Sequence, residues 1–255
     1  MKDSRKFLIS MMGLSAIAKS SFAGHVNFRD EVNNDSTVKL SIPKKWERAG
    51  IVISRSFEGP GSNVVGDPCI VRDEDSKGWR MFLFYDQPGC GHAIYPMGAS
   101  HTPGHWKLEG AIQFTNPEAL LGNSTHKLFI VMDAYQPNKA AKINGYYHLL
   151  SVSFRDGHKL VQESTAEKLS GPWTVIPEAL IPNGIGNDFD AKHADAVTGF
   201  YFPDKDETLY FYMGYPQQKQ LRPYSPWGNA QGVTVRKAGE KNIQKLFVIK
   251  LTNAL

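Results

Sequence analysis

Long amphipathic helical patterns are nearly absent from this chain, cysteine occurs only twice in 255 residues, and no apolar run reaches the roughly 20 residues that a membrane span needs. The longest such run, "FLISMMGLSAIA", follows the basic stretch "KDSRK" and precedes the small residues Ser21 and Ala23. That order reads as a secretory signal over residues 1–23, with the mature chain starting near Gly24. Removing it lowers the formal charge from +4 to +1, and no basic run is left that could follow a phosphate backbone, so nucleic acid is not expected as a partner. The expected location is secreted or periplasmic, with no membrane span. Cys69 and Cys90 flank one predicted hairpin, where a disulfide and two free thiols are both open readings.

What the chain does contain is short β-branched and aromatic runs punctuated by Gly, Pro, Asn and Asp, which predicts an all-β fold. Two of these runs share an outline without a gap. "DPCIVRDEDSKGWRMFLFYDQP" starts at Asp67, "DAVTGFYFPDKDETLYFYMGYP" starts at Asp195, and each aspartate stands 21 residues before a proline, Pro88 or Pro216. A second feature recurs at Trp46, Trp106 and Trp173, where a tryptophan lies four residues before Gly or Pro and an apolar run follows. Spacings of 60 and 67 residues between these tryptophans fit a repeated unit of about four short strands. Such a unit cannot bury both faces alone and stacks on its neighbours, as in a β-propeller.

The first unit is expected to place strands near 68–73, 79–85, 92–99 and from Trp106 onward. The third should use 196–202, 208–215, 230–236 and 244–251. Two registers are open for the middle unit. In one, "KLFIVM" is its inner strand. In the other, Asp133 is the counterpart of Asp67, and the aspartate intervals of 66 and 62 residues favour it. The acidic turns "RDEDSKG" and "PDKDE" suit solvated hairpin ends.

In a propeller the head of each innermost strand points into the mouth of the central channel. Asp67 and Asp195 should therefore face each other there, beside the loops at 55–66, 85–92 and 181–194, which are rich in Gly, Pro and Asn. Two converging carboxylates suit glycoside chemistry, in which one group polarises water and another tunes the departing side of the sugar. The competing reading has both aspartates bracing loop ends through backbone hydrogen bonds.

The motifs "GDPCIVRD", "GWRMFLFY", "LSGPW", "NDFDAKHAD", "TLYFYMGYP" and "SPWGNAQGVTV" resemble, in type and order, those of the five-bladed β-propeller glycosidases, especially glycoside hydrolase family 43 and its relatives. The similarity covers about residues 46–251. It implies a single β-propeller domain over 24–255, a carbohydrate substrate, and inverting hydrolysis with Asp67 as general base and Asp195 tuning and orienting the acid. Asp86, His92, Asp133, Asp190 and His193 are the candidate sugar contacts. No cofactor and no obligatory metal are expected, although "DED" at 73–75 and "NDFD" at 187–190 leave room for a structural calcium. The pattern departs from the family in one respect. Its general acid is a glutamate opening a fourth blade, whereas only about three blades are recognisable here, and Glu163, Glu178 and Glu240 lie in other parts of the repeat. His193 is the substitute proton donor that the sequence offers. An incomplete ring should also leave an open flank beside 244–251, exposing Leu246, Val248 and Leu251. A carbohydrate-binding propeller without turnover is the alternative function.

Overall fold

The computed structural model describes residues 65–85, 89–96, 106–122, 124–136, 138–217 and 230–249. They form three antiparallel meanders of four main strands each in chain order, with two further two-residue strands in the second and a 3₁₀ turn at Pro117–Ala119. The signal segment, Trp46, Asp86, Pro88 and Leu251 lie outside the described residues.

The first meander runs β1 (Val65–Asp73), β2 (Gly78–Tyr85), β3 (Gly89–Pro96), β4 (Lys107–Ala111). The second opens with β5 (Ser124–Ile130), which the two-residue β6 (Met132–Asp133) and β7 (Lys142–Ile143) follow. It continues through β8 (Tyr146–Arg155), β9 (His158–Ala166) and β10 (Thr174–Ile181). The third is β11 (His193–Phe202), β12 (Glu207–Tyr215), β13 (Ala230–Lys237) and β14 (Gln244–Ile249). Short parallel pairings of β11 with β9 and β6 join the second and third meanders. Among the described residues, the sheets do not close into a ring.

Period-two alternation sets both faces. Along β12, Thr208, Tyr210, Tyr212 and Gly214 are buried and alternate with half-buried Leu209, Phe211 and Met213. The second sheet buries both of its faces, with Leu149 in one core cluster and Leu150 in the other. One core cluster joins Cys69, Val71 and Phe82 of the first sheet to Leu128, Ile130, Leu149 and Trp173 of the second. The other joins Leu150, Val161 and Ile181 to Val197, Tyr210 and Tyr212 of the third. Trp106 and Trp173 both stand immediately before outer strands, β4 and β10, as the repeat predicts. Trp173 is fully buried, edge-on to Phe82 across the interface at 6.0 Å between ring centroids.

The pairing corrects the repeat in two places. In β1, Gly66 lies opposite Phe84 and Cys69 opposite Phe82, so Asp67 and Pro68 form a bulge. In β11, Asp195 lies opposite Met213 and Thr198 opposite Phe211, so the bulge is Ala196 and Val197. The counterpart of Asp195 is thus Gly66, and that of Asp67 is Ala196. The two aspartates are adjacent positions of one motif rather than equivalent ones, because a bulge absorbs a residue without changing the outline of the hairpin.

The middle meander takes the other register. Its inner strand is "STHKLFI", with a bulge at Lys127 and Leu128 between the pairs His126 with Val152 and Phe129 with Leu150. Asp133 therefore sits at the far end of the strand, where its Oδ1 accepts the backbone N–H groups of Tyr135 (2.8 Å) and Gln136 (3.1 Å). Asp73 makes the same turn at the equivalent end of β1, accepting from Asp75 and Ser76. Unlike its neighbours Glu74 and Asp75, Asp73 is not solvated: it is buried, and its Oδ2 accepts from Arg80 Nε at 2.7 Å.

Cys69 and Cys90 sit on β1 and β3, with β2 between them. Two strand spacings amount to roughly 9.5 Å, beyond the reach of a disulfide. Cys69 is a buried free thiol whose Sγ accepts the Ile130 N–H at 3.3 Å, and burial pushes its pKa up to about 12. In a Cys90→Ser variant, Cys69 should not react with a thiol reagent until the protein is denatured. Rapid labelling of native protein would refute its burial.

On the predicted open flank, β14 is an edge strand, with Leu246 and Val248 half-buried. Phe247, which the sequence did not single out, is the exposed apolar residue there.

Candidate functional site

Eight residues other than glycine have positive φ among the described residues. Five of them, Lys77, Asn138, Asn144, Asp156 and Asp206, occupy turns, where such a conformation is ordinary. The other three lie within strands: Asp67 (φ 50), Lys127 (φ 52) and Ala196 (φ 47). They are the first residues of the bulges in β1, β5 and β11, the inner strands of the three sheets. A left-handed residue inside a strand is strained, and its neighbours must hold it there. The fold repeats this strain at the same level of all three inner strands, and each bulge re-aims the side chains beside it.

Around the bulges the charges converge. Asp195 is 1% exposed, and both its oxygens are occupied. Oδ1 accepts the Ala196 N–H at 2.7 Å and lies 2.9 Å from Lys127 Nζ, while Oδ2 accepts from Lys159 Nζ at 2.8 Å. Burial works to raise this carboxyl, but the hydrogen bonds and charges of the two lysines outweigh it and hold the group below the usual carboxylate range. Asp195 is therefore a fixed anion at neutral pH. Asp67, by contrast, is exposed to solvent.

Two histidines complete the cluster. His126, half-buried and edge-on to Phe84 at 6.0 Å, feels Lys159, Asp195, Lys127 and Asp67 together. Burial first, and then Lys159, lower its pKa. His193 Nδ1 accepts the Lys159 backbone N–H at 3.1 Å, which places the proton of the neutral ring on Nε2. Burial, Lys192 and Lys159 lower its pKa as well. A second proton on Nδ1 would break the bond to Lys159, so His193 is better suited to donating a hydrogen bond than to shuttling a proton.

Of the sequence candidates, Asp67, Asp195 and His193 thus lie at this end of the inner strands. His92 lies on β3, opposite Phe82, and its side chain lies outside the described residues, as does all of Asp86. Asp190 is fully buried, and its Oδ2 accepts from Tyr212 Oη and Lys245 Nζ, both at 2.7 Å. Its carboxylate therefore belongs to β12 and β14, beside a cleft of about 200 Å³ lined in part by Phe189, Tyr212 and Leu246. Asp188, the other acid of "NDFD", caps the Ile185 N–H. Asp133 is at the opposite end of its strand.

The residues that sequence reasoning missed are His126, Lys127 and Lys159. A signal for them exists: the tripeptide His-Lys-Leu occurs at 126–128 and again at 158–160. Each copy sends its lysine to Asp195. Glu163, in contrast, is committed elsewhere. It is 1% exposed, bonded to His148 Nδ1 at 2.8 Å and held by Arg236 through two bonds of 2.7 and 2.6 Å.

No family model matches the sequence, and no curated protein does. Solved structures do. BT0996, solved as an RGII complex, superposes with a TM-score of 0.53 at 11% identity, over 71% of this chain and 56% of that one. Zg3597, a family 117 glycoside hydrolase from Zobellia galactanivorans, gives 0.52 at 16% identity over 80% and 52%. A glycosyl hydrolase from Bacteroides ovatus gives 0.51 at 16% identity over 73% and 51%. The chain shares the all-β fold of these proteins and spans about half the length of each.

Proposed function

We propose that the chain is a secreted or periplasmic, carbohydrate-active β-propeller of the glycoside hydrolase family 43 type, which hydrolyses glycosidic bonds of oligo- and polysaccharides with inversion. The observation that carries this reading is the row of strained bulges that brings Asp67, Asp195, Lys127, Lys159, His126 and His193 to one end of three inner strands. The fold shared with glycoside hydrolases supports it. The three meanders are then three blades of a larger ring.

In this reading Asp67, the solvent-exposed carboxylate of the cluster, is the base that polarises water. Asp195 is the permanent anion that orders the site, and His193 Nε2 and His126 are donors to sugar hydroxyls. Asp86 and His92 stay candidates for the rim of the site. Asp133 and Asp190 drop out, since their carboxylates are spent on a backbone turn and on Tyr212 and Lys245.

Carbohydrate binding without turnover is the second reading, and one observation favours it: no glutamate joins the cluster among the described residues, Glu163 being held by Arg236 and His148. One experiment separates the two. Purified full-length chain is incubated with aryl glycosides and oligosaccharides of arabinose, xylose, galactose and fructose, the product anomer is followed by NMR, and binding is measured by calorimetry. Turnover with inversion is expected. Binding without turnover selects the second reading, and neither result with any sugar removes both.

A further inference from the structure

The carbohydrate reading leaves one feature of the site unused, its surplus of cations. One lysine is enough to balance one buried carboxylate, yet Asp195 has two, Lys127 and Lys159, one on each oxygen. A third, Lys192, is exposed next to His193 and is the strongest charge acting on that ring. Against these stand Asp195 and Asp67. Both histidines are held toward the neutral form, so the described residues at this end of the inner strands carry a net positive charge. The two lysines are also reachable. Each side chain is 28% exposed, and each ammonium has three N–H donors, of which Asp195 takes one.

The geometry points to an anionic sugar, one bearing a carboxylate or a sulfate ester, as the ligand this site prefers. Its charged group docks on the Lys127 and Lys159 ammonium groups, and Lys192 draws it in. This names the substrate class of the proposed site and rests on the carbohydrate reading. Asp195 has a purpose here beyond balance: by engaging one donor of each lysine, it fixes two flexible side chains in place, so a bound anion has less conformational freedom to suppress. His193 Nε2 adds a donor for a neighbouring hydroxyl.

The test is calorimetric titration of the full chain with four probes: oligogalacturonate, a sulfated galactan oligosaccharide, neutral galactan oligosaccharide and xylo-oligosaccharide. At least one anionic probe should bind about tenfold or more tightly than either neutral one, and the advantage should shrink as salt rises from about 20 to about 200 mM. Preference for the uronate alone assigns a carboxylate, for the sulfated probe alone a sulfate, and for both a site that reads charge only. In Lys127→Gln and Lys192→Gln variants the advantage of anionic over neutral probes should fall severalfold. The panel with unaltered protein decides the matter even if a variant misfolds. Equal or tighter binding of the neutral probes overturns the inference and leaves the carbohydrate reading standing. If no probe binds, the inference falls, and the wider sugar screen decides the carbohydrate reading.

Discussion

Asp67→Asn is expected to lower turnover by about 10² to 10⁴-fold, the contribution of a positioned general base, while sugar affinity and thermal stability stay near those of the parent protein. The substitution is clean for a backbone reason. Asp67 has φ 50, a conformation that Asn tolerates at least as well as Asp, so the bulge in β1 should survive. The side chain is exposed and keeps its size, so no cavity forms. Measuring kcat, the dissociation constant and Tm on one preparation isolates the chemistry. Turnover within about tenfold of the parent would remove Asp67 from the role of base. Asp195→Asn would be a poorer test, because it takes the charge from between Lys127 and Lys159 and perturbs fold and site together.

Glu163→Ala is expected to destabilise the protein by about 3–5 kcal/mol, the usual cost of leaving one partner of a buried ion pair behind. Glu163 on β9 reaches Arg236 on β13 through two hydrogen bonds and His148 on β8 through a third, so it fastens the second sheet to the third. Without it, the Arg236 guanidinium stays largely buried above the Tyr210 ring with no anion to meet it. Burial alone would raise the Glu163 carboxyl, but the bonds from His148 and Arg236 and the Arg236 charge hold it down at about 2 against an ordinary 4.5. The folded-state value is depressed, so this contribution is complete above about pH 4.5 and is lost as pH falls toward 2. Denaturant titrations of parent and variant should therefore differ most near neutrality and converge in acid. A gap that persists unchanged at pH 2 would show that the effect is packing, not charge. Replacing Glu163 and Arg236 together with apolar residues should recover much of the loss.

The sequence by itself determined the class of the fold and most of the strands. Alternation, aromatic and β-branched content, and Gly/Pro/Asp turn signals are local properties, and β1, β2 and β11 through β14 lie where those signals put them. The tryptophans before β4 and β10 were legible for the same reason: a repeated residue in a repeated unit meets the same neighbours. The inner strand of the middle sheet departs from the aspartate spacing because "KLFI" is the better β-former, while Asp133 caps a turn. Tertiary structure alone decided the rest. The one-residue offset between Asp67 and Asp195 comes from where each bulge falls, and spacing along the chain cannot distinguish a bulge from a longer strand. The union of Glu163 with Arg236 and the meeting of Lys127, Lys159 and Asp195 join strands that only sheet pairing and sheet packing bring together. A charged residue reads as solvated in a linear sequence. Whether it is buried, and against which partner, depends on groups tens of residues away.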